Sequence, residues 1–136
     1  MKLLANGPFE VKLNPESLSS TAESTGLARM SLNKQFDGDL EAISKGEMFA
    51  FRSEVVQGSA GYVAMETVQG VLHGRRGSFV LQHSSTMTRG QPEQSITVVP
   101  DSGTDELLGL SGTMIITIAN GQHSYSFDYA LPEAPQ

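Results

Sequence analysis

The 136-residue chain contains no cysteine. A disulfide framework, a thiol nucleophile and a Cys-ligated zinc or iron–sulfur centre are therefore excluded. Basic residues are few: nine Lys and Arg stand against fifteen Asp and Glu, a formal charge of −6. They are scattered, with only Arg75 and Arg76 adjacent, so the basic footprint that nucleic-acid binding needs is missing. The acidic balance serves solubility. Long apolar runs are also absent. No segment approaches the roughly 18 apolar residues of a membrane-spanning helix, and the run Leu3 to Ala5 behind Lys2 is too short for a signal peptide. A soluble cytoplasmic protein, with neither nucleic acid nor membrane as partner, is the expectation.

What is present is a period of two. Phe9, Val11 and Leu13 alternate with Glu10 and Lys12, and Met114, Ile116 and Ile118 with Thr113 and Thr117. Tyr125, Phe127 and Tyr129 point one way while Ser124, Ser126 and Asp128 point the other. A half-buried strand requires this, because successive side chains leave opposite faces. Turn signals separate the runs, among them Asp37-Gly38, Gly74 to Gly77, Arg89-Gly90 and Asn120-Gly121. Asn-Gly between alternating segments is the strongest hairpin signal, since a type I′ turn needs positive φ at both central residues. About eight strands are expected, near 7–13, 27–36, 39–53 (broken or bulged near Gly46), 60–73, 77–88, 93–99, 111–119 and 122–131. Evenly spaced strands without long helices predict an all-β domain over residues 1–136, a closed or nearly closed eight-stranded antiparallel meander barrel. Closure also removes the exposed edges an open sheet must protect. Residues 14–26 read as a mobile loop and Pro132 to Gln136 as a frayed tail.

One short helical turn is expected near 104–109. Thr104 suits its N-cap, Asp105 and Glu106 suit the positive end of the dipole, and Gly109 suits a left-handed end. Leu107, Leu108 and Leu110 would plug one barrel end. The Gly-rich segment is no phosphate loop, because it lacks lysine and carries two acids where phosphate would sit. The histidines, His73, His83 and His123, show no metal-ligand spacing, so no metal and no other cofactor is expected. There is no G-x-S-x-G elbow to mark a serine nucleophile.

The segment "GSFVLQHSS" starts as a buried strand and turns polar at Gln82 and His83. Residues 60–73 and 77–88 should form a hairpin around Gly74-Arg75-Arg76. A two-residue loop at 74–75 places Glu66 opposite His83, with Val68 near Leu81 and Gly70 near Phe79. It also collects Tyr62, Val68, Leu72, Phe79 and Leu81 on one apolar face. A three-residue loop reverses the parity and separates the pair. On the first register His83 faces the barrel mouth with Glu66 while Gln82 faces away. A carboxylate beside an imidazole fixes its tautomer and can make it a proton acceptor. Glu66 and His83 are thus the candidate catalytic pair, weighed against a purely structural contact.

The pieces "GYVAMETVQGVLHGRRGSFVLQHSS" and "VVPDSGTDELLGLSG", with "GPFEVK", "FDGDLEA" and "HSYSFDYAL", resemble the bacterial domain of unknown function 3224 family. That family is placed with the allene-oxide-cyclase-like barrels. The resemblance spans nearly the whole chain and implies an eight-stranded antiparallel barrel with a central cavity, often oligomeric, but no activity, since fold does not carry function.

The leading functional expectation is a barrel that holds a small apolar or amphipathic ligand in a lipocalin-like central cavity. Tyr62, Glu66, Val68, Phe79, Leu81 and His83 are the candidate ligand-binding residues, and Met65 and Met87 are further lining groups. One alternative is a cofactor-independent isomerase or cyclase using Glu66 and His83. Another is a homo-oligomeric structural or regulatory module that works through its surface.

Overall fold

The structure, a computed structural model, describes residues 2–133. Eight antiparallel strands close into one barrel in chain order. They are β1 (Lys2–Glu16), β2 (Ala28–Phe36), β3 (Leu40–Arg52), β4 (Ala60–Leu72), β5 (Arg75–Thr88), β6 (Gln91–Val98), β7 (Ser111–Ala119) and β8 (Gln122–Ala130). Closure comes from β1, whose first half pairs with β8 (Ala5 with Phe127) and whose second half pairs with β2 (Leu13 with Leu32). The thinnest seam is β6–β7, where Thr97 and Thr113 are the paired positions. There the Gln94 side-chain oxygen accepts the Ile116 N–H at 2.9 Å.

Alternation sorts the strands as the period of two requires. Phe36, Leu40, Val68, Leu72, Phe79, Leu81 and Phe127 are buried in the core. The Phe79 and Phe127 rings stack with centroids 5.7 Å apart. A 3₁₀ turn (Asp105–Leu107) covers one barrel end, burying Leu107 and Leu110. Leu108 does not join this plug and is 72% exposed. Thr104 makes no side-chain cap to the turn. Its hydroxyl instead accepts the Ser78 N–H at 3.0 Å and ties the plug to β5. At the same end the Tyr125 hydroxyl donates to the Asp37 carbonyl at 2.7 Å and accepts the Leu40 N–H at 2.8 Å.

Several sequence expectations shift. β1 runs on to Glu16, so the loop expected from residue 14 starts later. Of the expected frayed tail, residues 134–136 lie outside the described residues. The Asn120-Gly121 hairpin forms as expected, with Ala119 opposite Gln122 and φ of 53° and 75° at the two turn residues. The β4–β5 hairpin turns one residue earlier than expected. Its loop is His73-Gly74, with φ of 46° and 79°, and Leu72 pairs with Arg75. Glycine is favoured at the second position of a type I′ turn, and Gly74 takes that position. Glu66 therefore lies opposite Leu81, and His83 opposite Ala64. The change is two residues of register, so parity survives and both side chains still point inward. No break occurs at Gly46, which pairs directly with Glu66 inside a continuous ladder.

Candidate functional site

A cavity of about 900 Å³ opens at the end of the barrel opposite the plug. Its walls come from the start of β2, the end of β3, the start of β4 and the end of β5, with the β3–β4 loop at the rim. Met30, Met48 and Met87 line it together with Tyr62, Phe51 and Ser85. Small residues, Ala28, Ala50, Ala60 and Gly61, keep its volume open.

Three charge-bearing side chains meet inside the barrel. The Lys34 ammonium lies 2.8 Å from Glu66 Oε2, and His83 Nε2 lies 2.6 Å from the same oxygen. Glu66 is 1% exposed, His83 3% and Lys34 8%. At this separation the imidazole nitrogen is within hydrogen-bonding distance of the carboxylate oxygen. Glu66 Oε1 and the Ser44 hydroxyl are buried with no hydrogen-bond partner among the described residues. Burial alone would raise the Glu66 carboxyl, but the His83 contact and the Lys34 charge overcome it and hold it down at about 2. A carboxylate this buried is kept ionised only by such neighbours.

Local sequence explains the convergence. Lys34 stands on the inward-facing series Leu32, Lys34, Phe36 of β2, and its ammonium lies 5.2 Å from the Phe9 ring centre and 5.8 Å from that of Phe36. Lys34 pairs with Ser44, and Glu66 with Gly46, so one strand separates them. Two strands apart is about 10 Å in a sheet, a span the long lysine side chain crosses above Gly46. A Cβ on Gly46 would lie 2.7 Å from Glu66 Cα and 2.9 Å from Glu66 Cβ.

The residues singled out in the sequence separate into three groups. Tyr62 lines the cavity, and its ring centre is 6.3 Å from that of His83. Glu66 and His83 touch each other beneath it, while Val68, Phe79 and Leu81 lie in the packed core. Gln82 is exposed on the outer face. Met65, expected as a lining group, is 50% exposed on the outer face, because it neighbours inward-facing Glu66 in a strand of period two. Met87 does line the cavity. Sequence reasoning missed Lys34, Met30 and Met48. The signal for Lys34 was legible, since a lysine between Leu32 and Phe36 at spacing two sits on the apolar face.

The Tyr62 phenol is pushed up by burial, against the opposing effect of its Ser85 hydrogen bond, with the Glu66 charge adding to the rise. It stays a neutral donor over the physiological range. Among the described residues no group of three His, Asp or Glu is placed to hold a metal ion. No helix of the described residues is long and apolar enough to cross a membrane.

A family model described as "Protein of unknown function (DUF3224)" matches residues 5–129. The chain is also similar to a crystal structure of a DUF3224-family protein of unknown function from Shewanella oneidensis MR-1. The two are 51% identical, the match covers 98% of this chain and 100% of that one, and the TM-score is 0.91. No curated protein matches the chain.

Proposed function

We propose that this chain, which belongs to the DUF3224 family of proteins of unknown function, binds a small, partly apolar molecule in the open end of its barrel. The observation that carries this reading is the cavity of about 900 Å³, walled by methionine, alanine and aromatic side chains together with glycine and polar residues. That volume falls in the range of small-molecule sites, roughly 300–1,000 Å³. The opposite end is filled by core side chains and the 3₁₀ plug, so a ligand enters from one side. The Lys34–Glu66–His83 cluster forms a rigid charged layer between core and cavity. In this reading the barrel is allene-oxide-cyclase-like, supported by the strand order and by the Gly-rich plug that precedes β7. Ala50→Trp places an indole into the cavity and tests the proposal. A fluorescent apolar probe should bind the native chain saturably and lose that binding in the variant. Absence of saturable binding, or binding indifferent to Ala50→Trp, would overturn it.

A second reading treats the Glu66–His83 contact as a proton-transfer pair of an isomerase-type enzyme. The 2.6 Å approach supports it. His83→Gln then abolishes turnover of a bound compound while leaving its affinity unchanged; equal turnover sinks the reading. Assembly of copies of this chain is supported by an outward-facing apolar strip. In it Phe49 and Val63 are cross-strand partners, 42% and 53% exposed, with Met65 beside them. Sedimentation of Val63→Glu against the native chain decides this: a native monomer at high concentration removes it.

A further inference from the structure

We infer that the ligand class of this cavity is a planar, uncharged aromatic or conjugated compound bearing one hydroxyl or carbonyl group. The inference rests on the cavity reading above and narrows it. Met30 and Met48 are direct cross-strand partners on the inner wall, and Met87 faces the same space from β5. Three thioethers therefore converge on one cavity, while the packed end of the same barrel holds a single methionine, Met114, among Leu, Phe, Tyr, Val and Ile. Thioether sulfur is polarizable and makes favourable contacts with aromatic ring edges. An alkyl chain gains nothing comparable from sulfur over Leu. Alanine and glycine beside the methionines, at Ala28, Ala50, Ala60 and Gly61, leave a slot that a flat molecule fills without displacing side chains. The Tyr62 ring adds a face for stacking.

The polar lining sets the remaining chemistry. Tyr62 and Ser85 are cross-strand partners on the cavity wall and carry two neutral hydroxyls, of which that of Ser85 already donates to the Glu93 carbonyl at 3.1 Å and is left as an acceptor. At the rim Arg52 and Glu54 carry opposite charges that offset each other. The lining thus has no surplus charge to hold an ionised head group, and it has donors and acceptors for one neutral polar group.

Two probes of similar polarity separate this class from aliphatic ligands: 2-naphthol and 1-decanol, titrated calorimetrically into the full chain. The expected result is 2-naphthol binding on the order of tenfold tighter, about what two or three sulfur–ring contacts supply. In the native chain labelled with ¹³C at methionine methyls, 2-naphthol should shift Met30, Met48 and Met87 by its ring current. Met65 on the outer face and Met114 in the core should not move. The combined variant Met30→Leu, Met48→Leu and Met87→Leu keeps volume and apolarity, and should weaken 2-naphthol to the level of 1-decanol while leaving 1-decanol unchanged. Should that variant fail to fold, the methyl shifts of the native chain decide alone. Saturable 1-decanol binding that equals or exceeds 2-naphthol, or unmoved cavity methionines, overturns this inference and leaves the cavity reading standing. No saturable binding of either compound overturns both.

Discussion

His83 Nε2 lies 2.6 Å from Glu66 Oε2, although the two residues are not opposite each other in the sheet. Glu66 pairs with Leu81 and His83 with Ala64, so the contact is a diagonal across one inner face. Such diagonals are within reach of long side chains. Lys34 arrives from two strands away at the same oxygen. The cluster is therefore held by three strands at once, and its behaviour separates from that of the hairpin alone.

Removing one member of a buried ion pair leaves the others uncompensated. Glu66→Gln should lower stability by roughly 3–5 kcal/mol, read as a fall in urea midpoint. The double variant Lys34→Met with Glu66→Gln should recover a large part of that loss, because no buried ammonium is then left unpaired. A double variant as unstable as the single one would show that Lys34 is not the partner that matters.

Glu66 titrates at about 2 in the folded chain against 4.5 for the free carboxyl. A depressed carboxyl pKa stabilises the fold above its unfolded value, and that contribution disappears as pH falls through the folded one. The native chain should therefore lose roughly 3 kcal/mol between about pH 5 and pH 2 from this group. Denaturant midpoints over that range, native against Glu66→Gln, isolate it. Parallel pH profiles for the two chains would contradict the assignment.

Gly46 is required by a close approach rather than by its φ. A Cβ there collides with the Met65 carbonyl oxygen and lies 2.7 Å from the Glu66 Cα. Gly46→Ala should cost about 1–3 kcal/mol, as expected for overpacking against atoms that cannot swing away. It should also disturb the Lys34–Glu66 contact, visible as a weaker acid dependence of stability. A melting temperature equal to that of the native chain would refute the packing argument.

The β6–β7 seam is the barrel's weakest closure, with one paired position and the Gln94 side chain bridging to Ile116. Amide exchange should be fastest along β6 and β7 and slowest across β3, β4 and β5, since opening follows the thinnest hydrogen-bonded boundary. Gln94→Ala should speed exchange at Ile116 by about tenfold, the loss of one hydrogen bond of ordinary strength. Uniform protection around the barrel would show the seam to be as strong as the rest.

The period of two, the Asn120-Gly121 turn and the spacing of turn signals determine the eight antiparallel strands and which side chains face inward. These are local properties: alternation is a geometric consequence of the extended chain, and glycine fits positive φ wherever it stands. The inward pairing of parity between Glu66 and His83 was legible for the same reason. Their register was not, because a slip of two residues preserves every inward face and the choice of His73-Gly74 over Gly74-Arg75 rests on turn geometry alone. Lys34 sat in a readable position, yet its convergence with Glu66 depends on β3 passing between them with a glycine at Gly46. The cavity belongs wholly to the tertiary structure. Met30, Met48, Tyr62 and Met87 lie on four successive strands, and only closure of the barrel, with one end filled by large side chains and the other lined by small ones, turns them into the walls of one space.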